Sequence, residues 1–286
     1  MSEDSPQNEP STGEQPALPR RPKRKRLSLN VMIPNMLTLL ALSSGLTAIR
    51  FAYEGRWEHA ALAILAAAIL DALDGRIARL LKGTSKFGAE LDSLADILSF
   101  GVAPPMMLYF WSLENMGRFG WILVVLFAVS CALRLARFNT AAEDPDPPAW
   151  ASTFFSGVPA PAAAGLVLLP MIISFNLFED YVRRPEVVSV FMIVVAGLMI
   201  SSIPTYSFKK VKLSPKLVLP LMVTVGLVIA SMLSAPWVTL SGILAAYMIS
   251  IPFAVRSYRA ICIRTGSCEL DGDDDTVDID LNDETH

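Results

Sequence analysis

The chain has 286 residues, of which 53% are hydrophobic and only 18% are charged, and its mean hydropathy is +0.46. Because an average soluble domain carries about 25% charged residues, this composition excludes an ordinary soluble enzyme, a disordered protein and a nucleic-acid-binding protein. The net charge of −3 hides an acidic C-terminal tail, since nine of the 27 acidic residues lie between Glu269 and Glu284. Apolar stretches of about 20 residues recur along the rest of the chain, and each is long enough to cross a bilayer as a helix. The sequence therefore predicts an all-α polytopic membrane protein.

The chain begins with an arm rich in proline, serine and glutamate, which becomes strongly basic between Arg20 and Arg26. A basic cluster next to the first span sets the topology of a membrane protein, and it also suits binding to anionic lipids. We expect residues 1–30 to be a disordered cytoplasmic arm, residues 31–260 to form the membrane domain, and residues 261–286 to be a disordered acidic cytoplasmic tail.

Eight apolar segments predict about eight transmembrane helices. They cover residues 33–53, 57–82, 87–112, 118–138, 155–178, 187–205, 216–234 and 237–256. With the basic arm in the cytoplasm, nineteen lysines and arginines fall on the inner side and four fall in outer loops. This asymmetry follows the positive-inside rule, so we expect a multi-pass protein of the inner membrane with both termini in the cytoplasm.

Two of the predicted spans carry aspartates at depths where a charge is costly. Asp71 and Asp74 lie three residues apart in the second span, whereas Asp92 and Asp96 lie four residues apart in the third span. Residues at either spacing share one face of a helix. Four carboxylates in such a place must be neutralised by protons or by metal ions.

The turn between these two spans, Gly83-Thr84-Ser85, is short enough to make them an antiparallel hairpin. Gly83 suits a helix C′ position, and either Thr84 or Ser85 suits the N-cap of the next helix. The four carboxylates can therefore converge near the cytoplasmic side. Oxygen-only ligands favour Mg²⁺ or Mn²⁺, which keep coordination positions open for substrate phosphates, and a proton relay of a transporter is the alternative.

Small and basic residues between the aspartates complete a possible phosphate site. Gly75 and Ala78 leave room for a bulky polar group against the helix, and Arg79 supplies a charge suited to bridging phosphates. Gly88 precedes Asp92 by four residues on the same face and leaves a gap that a sugar or a base can approach. Taken singly, the glycines are also consistent with a role in helix packing alone. Arg79 is also consistent with a positive-inside residue that extends its charge to the membrane surface.

The whole string DALDGRIARLLKGTSKFGAELDSLAD, residues 71–96, resembles the signature of the CDP-alcohol phosphotransferase family. Members of that family move a phosphatidyl or similar group from a CDP-linked lipid to an alcohol and release CMP. The resemblance implies a catalytic helical bundle in which Asp71, Asp74 and Asp92 bind two divalent cations. It also implies that Asp96 shares in metal binding and is the candidate base.

The same resemblance implies that four residues hold the CDP moiety. They are Gly75, Ala78, Arg79 and Gly88. Asn35 and Thr38, at the start of the first span, can line the nucleotide pocket as well, and their alternative role is capping or hydrogen bonding between helices. A homodimer is expected from the resemblance.

Four further segments resemble the membrane-embedded phosphatidylserine synthases within that family. They are IPNMLTLLALSSGLTAI at 33–49, ILSFGVAP at 97–104, ALRLARFN at 132–139 and FFSGVPAPAAAG at 154–165. This branch implies CDP-diacylglycerol and L-serine as substrates, with membrane lipids as the surroundings. The alternatives are a sister enzyme that uses glycerol 3-phosphate, inositol phosphate or choline, and more remotely a cation-coupled transporter, although the Asp string has no second copy.

Two arginines at the cytoplasmic end of the fourth span are candidates for binding the carboxylate of serine. Arg134 and Arg137 lie three residues apart, and Asn139 follows them. Guanidinium groups pair well with carboxylates, but arginines at a span end also snorkel without any further role. The last three spans show no chemical pattern and are predicted to be packing helices.

Prolines fall within two of the predicted spans. Pro104 and Pro105 lie in the third span, and Pro159 and Pro161 lie near the start of the fifth. A proline inside a helix lacks the N–H donor and frees a carbonyl, which bends the helix. We expect kinks at both places, which can open a polar cavity below the bilayer midplane.

Overall fold

The computed structural model describes residues 29–81, 83, 85–142, 154–177, 179–201, 204–206 and 215–265. The disordered arm predicted for residues 1–30 and the acidic tail predicted for residues 261–286 therefore lie outside the described residues, apart from the helix ends at Leu29 and Thr265.

The described chain is almost wholly helical, and its helices follow the predicted spans. The first half contains α1 (Leu29–Tyr53), α2 (Trp57–Leu80), α3 (Lys86–Asp96), a π-helix (Ile97–Val102), α4 (Ala103–Leu108), a second π-helix (Tyr109–Leu113), a 3₁₀ turn (Glu114–Met116) and α5 (Arg118–Ala142). The second half contains α6 (Ala160–Val167), α7 (Leu169–Ser174), α8 (Glu179–Val182), α9 (Pro185–Ile200), α10 (Pro215–Ser234) and α11 (Pro236–Thr265). Two three-residue strands, β1 (Phe154–Ser156) and β2 (Pro204–Tyr206), pair antiparallel with Phe155 opposite Thr205.

In the described part of the chain, four helical segments are long and apolar enough to cross a bilayer. They are Val31–Tyr53, Lys86–Met116, Arg118–Thr140 and Pro236–Phe253. Two further apolar helices, Pro185–Ile200 and Leu219–Ser234, are shorter. Many large apolar side chains are exposed on the outside of the bundle, as expected where the surroundings are lipid. The prediction of an all-α polytopic membrane protein is confirmed.

α1 and α2 form a tight antiparallel hairpin, and a Schellman motif ends α1 at the turn between them. Gly55 has φ of +73°, a conformation that favours glycine. The N–H of Gly55 donates to the Ala52 carbonyl at 3.0 Å, and the N–H of Arg56 donates to the Phe51 carbonyl at 2.8 Å. Between the helices the contact is built from alanines, and Ser44 Oγ donates across it to the Ala63 carbonyl at 2.8 Å. Small residues let two helix backbones approach closely in a membrane.

The third span is one uninterrupted helical segment, Lys86–Met116, in which α-helix alternates with π-helix. Ser85 is the N-cap of α3, and its Oγ accepts the Gly88 N–H at 3.0 Å, so the N-cap prediction is confirmed at Ser85. Pro104 and Pro105 lie in the first turn of α4, directly after the first π-helix. Because these two residues have no N–H to continue the α-helical ladder, the wider π-turns precede them.

The fifth predicted span differs most from its prediction. Phe155 and Ser156, which were predicted to begin this span, lie in strand β1 instead, because that strand pairs with β2. The predicted kink at Pro159 and Pro161 is wrong: Pro159 is the N-cap of α6, and Pro161 lies in its first turn, where a missing N–H costs nothing. The helix is interrupted at Leu168 instead, just before Pro170.

Gly45 sets the closest approach between α1 and the third span. A Cβ atom at Gly45 would lie 2.5 Å from Ser99 Oγ and 2.8 Å from Ser99 Cα. Ser99 is buried in the first π-helix, and its Oγ lies 3.4 Å from the Ala41 carbonyl of α1. The absence of a side chain at Gly45 therefore holds α1 against the part of the third span that follows Asp96.

We predict that Gly45→Ala destabilises the bundle by about 1–3 kcal/mol, because the new methyl group forces α1 away from Ser99. The measurement is the thermal unfolding midpoint of the purified protein in one detergent. Gly226→Ala is the matched control, since a Cβ atom at Gly226 on exposed α10 meets nothing within 4 Å. Equal midpoints for Gly45→Ala and the wild type would contradict the close-approach argument.

Candidate active site

Three aspartates from two helices meet near the turn that joins α2 to α3. One carboxylate oxygen from each of Asp71, Asp74 and Asp92 lies within 4.8 Å of the other two. Asp74 is 4% exposed, whereas Asp71 and Asp92 are partly buried. At these three side chains the faces of α2 and α3 converge, as the sequence predicts.

The donor set of this carboxylate cluster fits a hard divalent cation. All three ligands are carboxylate oxygens, which Mg²⁺ and Mn²⁺ prefer over nitrogen or sulfur. Two oxygens on one Mg²⁺ ion, each at about 2.1 Å, can be at most about 4.2 Å apart. The carboxylate oxygens of the cluster lie within 4.8 Å of one another. This separation is close to the roughly 4.2 Å that one ion spans, so small side-chain rotations suffice to bring the oxygens onto shared ions. The cluster could hold metal.

Asp96 belongs to a second, neighbouring pair of carboxyl groups. It does not join the cluster of three, and its carboxyl group faces that of Asp71 at hydrogen-bonding range. Asp96 is the last residue of α3 and stands directly before the π-helix. Asp71 therefore belongs to both groups, and it links the cluster to Asp96.

Thr38 of α1 contacts the cluster directly. Its Oγ1 donates to Asp74 Oδ2 at 2.7 Å and also lies 3.1 Å from the Pro34 carbonyl. Both Thr38 and Asp74 are 4% exposed. A buried hydroxyl that binds one carboxylate oxygen fixes the orientation of that carboxylate and leaves its other oxygen for another ligand.

A cavity of about 210 Å³ opens beside Asp74 and Asp92. Its lining consists of small and polar residues from α1, α2, α3 and the turn between the last two. They are Pro34, Asn35, Thr38, Asp74, Gly75, Ala78, Gly83, Ser85, Gly88, Ala89 and Asp92. Five of the six residues predicted for the CDP moiety therefore line one cavity together with two carboxylates of the cluster.

The two glycines of this cavity differ in what surrounds them. A Cβ atom at Gly75 would meet nothing within 4 Å, whereas one at Gly88 would lie 2.8 Å from Asn35 Oδ1. Gly75 leaves bare helix surface in the cavity, and the gap expected at Gly88 is taken by the Asn35 amide. Arg79, the sixth predicted residue, does not line the cavity, because its Nε donates to the Gly75 carbonyl at 2.9 Å.

The two arginines of α5 have different surroundings. Arg134 is partly buried within electrostatic range of Asp96, and its Nε is buried without a hydrogen-bond partner among the described residues. Arg137 is exposed, and its Nη1 donates to the Ile200 carbonyl at the end of α9 at 2.9 Å. Asn139 Nδ2 donates to Ser93 Oγ at 2.9 Å, which ties the end of α5 to α3.

Sequence reasoning missed one polar side chain near this site. Tyr247 of α11 lies within electrostatic range of Arg134. The last three spans were predicted to be packing helices, and α11 is indeed apolar around Tyr247. No spacing within α11 signals this contact, because it depends on how α11 packs against the bundle.

Comparison with known proteins agrees with this geometry. Residues 31–203 match the family described as CDP-alcohol phosphatidyltransferase, and residues 216–252 match CDP-alcohol phosphatidyltransferase 2. The chain is 40% identical over 237 residues to the CDP-diacylglycerol–serine O-phosphatidyltransferase of Mycobacterium tuberculosis, covering 82% of each chain. It is 40% identical over 205 residues to the protein of the same name from Helicobacter pylori, covering 71% of this chain and 84% of that protein.

An archaeal protein is also similar. The chain is 35% identical over 183 residues to the archaetidylserine synthase of Methanothermobacter thermautotrophicus, covering 63% of this chain and 71% of that protein. The family match extends over more than half of the chain and includes every aspartate of the cluster. This chain belongs to the CDP-alcohol phosphatidyltransferase family.

Proposed function

We propose that this membrane protein is a CDP-diacylglycerol–serine O-phosphatidyltransferase, which moves the phosphatidyl group of CDP-diacylglycerol to the hydroxyl of L-serine and releases CMP. The observation that carries the proposal is the convergence of Asp71, Asp74 and Asp92 beside a cavity of small residues. The identity of 40% to relatives of that name, over 82% of the chain, supports serine as the acceptor.

We assign Asp71, Asp74 and Asp92 to two divalent cations, Mg²⁺ or Mn²⁺, with Asp96 close enough to share in holding one of them. Such cations offset the charge of the pyrophosphate linkage and stabilise the departing CMP. The contribution of the chain is to hold the carboxylates at fixed positions before substrate arrives. Thr38 does this for Asp74 through its 2.7 Å hydrogen bond.

We assign the cavity beside the cluster to the CDP moiety. Gly75 and Ala78 expose helix surface there, and the Asn35 amide offers hydrogen bonds on the opposite wall. Arg79 is exposed and is bound to a carbonyl of its own helix, so its flexible side chain can turn to the phosphates when they bind. The diacylglycerol tails remain in the bilayer.

In the proposed reaction the serine hydroxyl oxygen forms a bond to the phosphorus that carries diacylglycerol. The bond from that phosphorus to the CMP oxygen breaks, and CMP leaves with the electron pair. Asp96 accepts the proton of the hydroxyl, and its position beside Asp71 supports that role. Arg134, which lies in electrostatic range of Asp96, is placed to bind the carboxylate of serine.

Arg134 also bears on the choice of acceptor. It brings one positive charge to the surroundings of Asp96, and one charge matches the single carboxylate of serine. Glycerol 3-phosphate and inositol phosphate carry a phosphate group, which calls for more than one cationic side chain. A sister enzyme with one of these acceptors, or with choline, is the second candidate.

We also propose an orientation for the chain. The excess of lysine and arginine on one side supports an inner membrane location with both termini in the cytoplasm, so that serine and the nucleotide bind from the cytoplasm. Residues 31–260 then form the catalytic domain between two cytoplasmic tails. The assembly that we expect, by family resemblance, is a homodimer.

One assay tests the function. Purified protein is incubated with CDP-diacylglycerol, Mg²⁺ or Mn²⁺, and one of L-serine, glycerol 3-phosphate, inositol phosphate or choline, and CMP release is followed. We expect CMP release with L-serine only, and none after exhaustive EDTA treatment. Release with another acceptor identifies a sister enzyme, and turnover without any divalent cation refutes the metal assignment.

Thr38→Val tests whether the hydroxyl of Thr38 supports the metal site. We predict a 10- to 100-fold rise in the Mg²⁺ concentration needed for half-maximal rate, since loss of an outer hydrogen bond to a metal ligand typically has an effect of about that size. Thr47→Val is the matched control on the same helix, because Thr47 is exposed and its hydroxyl binds only the Ser43 carbonyl in the structure. An unchanged Mg²⁺ requirement would remove Thr38 from the site.

Asp96→Asn separates the proposed base from the metal ligands. We predict that this variant still binds CDP-diacylglycerol with metal but loses kcat by roughly 10²- to 10⁴-fold, the usual contribution of a general base. Glu90→Gln on the exposed face of α3 is the control. If extra Mg²⁺ restores both binding and rate, Asp96 is mainly a metal ligand, and the base assignment fails.

The two arginines of α5 give a third prediction. Arg134→Gln should raise the KM for L-serine by roughly 10- to 150-fold, because it removes a charge-assisted hydrogen bond of about 1.5–3 kcal/mol, and it should leave the KM for CDP-diacylglycerol nearly unchanged. Arg137→Gln should instead lower the thermal midpoint, because the Ile200 carbonyl loses its donor. If Arg137→Gln raised the KM for L-serine and Arg134→Gln did not, the carboxylate of serine would be assigned to Arg137 instead.

A further inference from the structure

α11 packs one face against the bundle, and most of that face is apolar. Its apolar members are Trp237, Leu240, Leu244, Met248 and Ile251. Leu244 lies against the bare backbone of Gly165 in α6, where a Cβ atom would come within 2.8 Å of Leu244 Cδ2. This close contact fixes the register of α11 against the bundle. Tyr247, one helical turn from Leu244 and from Ile251, is therefore held at a defined place.

The charged group that interacts with Tyr247 is Arg134 of α5. The two side chains lie within electrostatic range of each other, and Arg134 is also in range of Asp96. Among the described residues, neither the guanidinium of Arg134 nor the hydroxyl of Tyr247 makes a recorded hydrogen bond, and Arg134 Nε is fully buried. One turn before Arg134, Cys131 is completely buried, so the base of this region is closed by protein.

Unpaired polar groups in such a place need a ligand. A guanidinium N–H buried without a partner loses its bond to water and gains nothing in return. A tyrosine hydroxyl in an apolar surrounding likewise usually finds a partner. The guanidinium only donates, and the tyrosine hydroxyl donates as well as accepts, so an anion with at least two acceptor oxygens can satisfy both groups together.

We propose that Tyr247 completes the subsite for the acceptor carboxylate, with its hydroxyl donating to the carboxylate that Arg134 binds. This inference rests on the proposed function and assigns a specificity role to α11, the last predicted span. A carboxylate has two oxygens and about four acceptor positions. Arg134 can therefore bind it through two N–H groups, and Tyr247 through one O–H.

The subsite has a consequence for the choice of acceptor. With the carboxylate held between α5 and α11, the hydroxyl of the same small molecule can extend toward Asp96. An acceptor without a carboxylate would leave the buried Arg134 Nε and the partly buried Tyr247 hydroxyl without this partner, and a site rejects such analogues strongly. Tyr247 thereby helps to distinguish an amino acid from a simple amino alcohol.

Tyr247→Phe is the test, because it removes one oxygen atom and preserves the ring that packs against the bundle. We expect the KM for L-serine to rise about tenfold, as for a lost hydrogen bond to a charged group. The kcat at saturating serine and the KM for CDP-diacylglycerol should stay within about twofold of the wild type. Tyr109→Phe is the matched control, since Tyr109 of the second π-helix is also partly buried but packs edge-on against Phe110 and against Trp121 of α5.

Each outcome has one meaning. A wild-type protein that releases no CMP with L-serine contradicts the proposed function, and the subsite falls with it. A wild type that uses serine, together with a Tyr247→Phe variant whose serine KM is unchanged, overturns the subsite alone. A variant in which both KM values and the thermal midpoint shift together shows a packing role for Tyr247 and also overturns the subsite.

Discussion

The carboxyl groups of Asp71, Asp74, Asp92 and Asp96 lie together in a bundle whose packed surface is otherwise mostly apolar. Each would cost roughly 2.5–3.5 kcal/mol at the centre of a span, and like charges at this spacing repel one another. The surrounding side chains are arranged to offset that cost: a hydroxyl binds Asp74, a guanidinium lies near Asp96, and an open cavity adjoins Asp74 and Asp92. The divalent cations that we propose for this site would complete the balance.

α1 supports this arrangement, although it carries no charged residue of the cluster. It contacts α2 through Thr38 and Ser44, and the third span through Asn35 and Gly45. These four contacts lie along one stretch of α1 that extends from the cavity to the π-helix. The hairpin that bears the aspartates is therefore held by a neighbouring helix, which helps to give the carboxylates defined positions.

Much of the site could be predicted from the sequence because its information is local. The spacing of the four aspartates defines two helix faces, and the short turn with Ser85 as N-cap brings those faces together. Other features depend on residues far apart in the chain. Arg137 binds the carbonyl of Ile200, 63 residues away, and the pairing of β1 with β2 replaces helix at the start of the fifth predicted span. No local pattern signals either contact, and the same holds for Tyr247.

The π-helix after Asp96 separates two tasks within the third span. A π-turn accommodates one residue more than an α-turn, and one residue corresponds to a rotation of about 100° around a helix axis. The aspartates before Ile97 and the large core side chains after Val102 therefore follow different helical phases. The face that bears Asp92 and Asp96 and the face that packs in the core can each change in sequence without changing the angular position of the other. Deletion of one residue between Ile97 and Val102 would give both parts of the third span the same helical phase. Either Asp92 and Asp96 would then turn away from α2, or Met107 and Trp111 would turn out of the core.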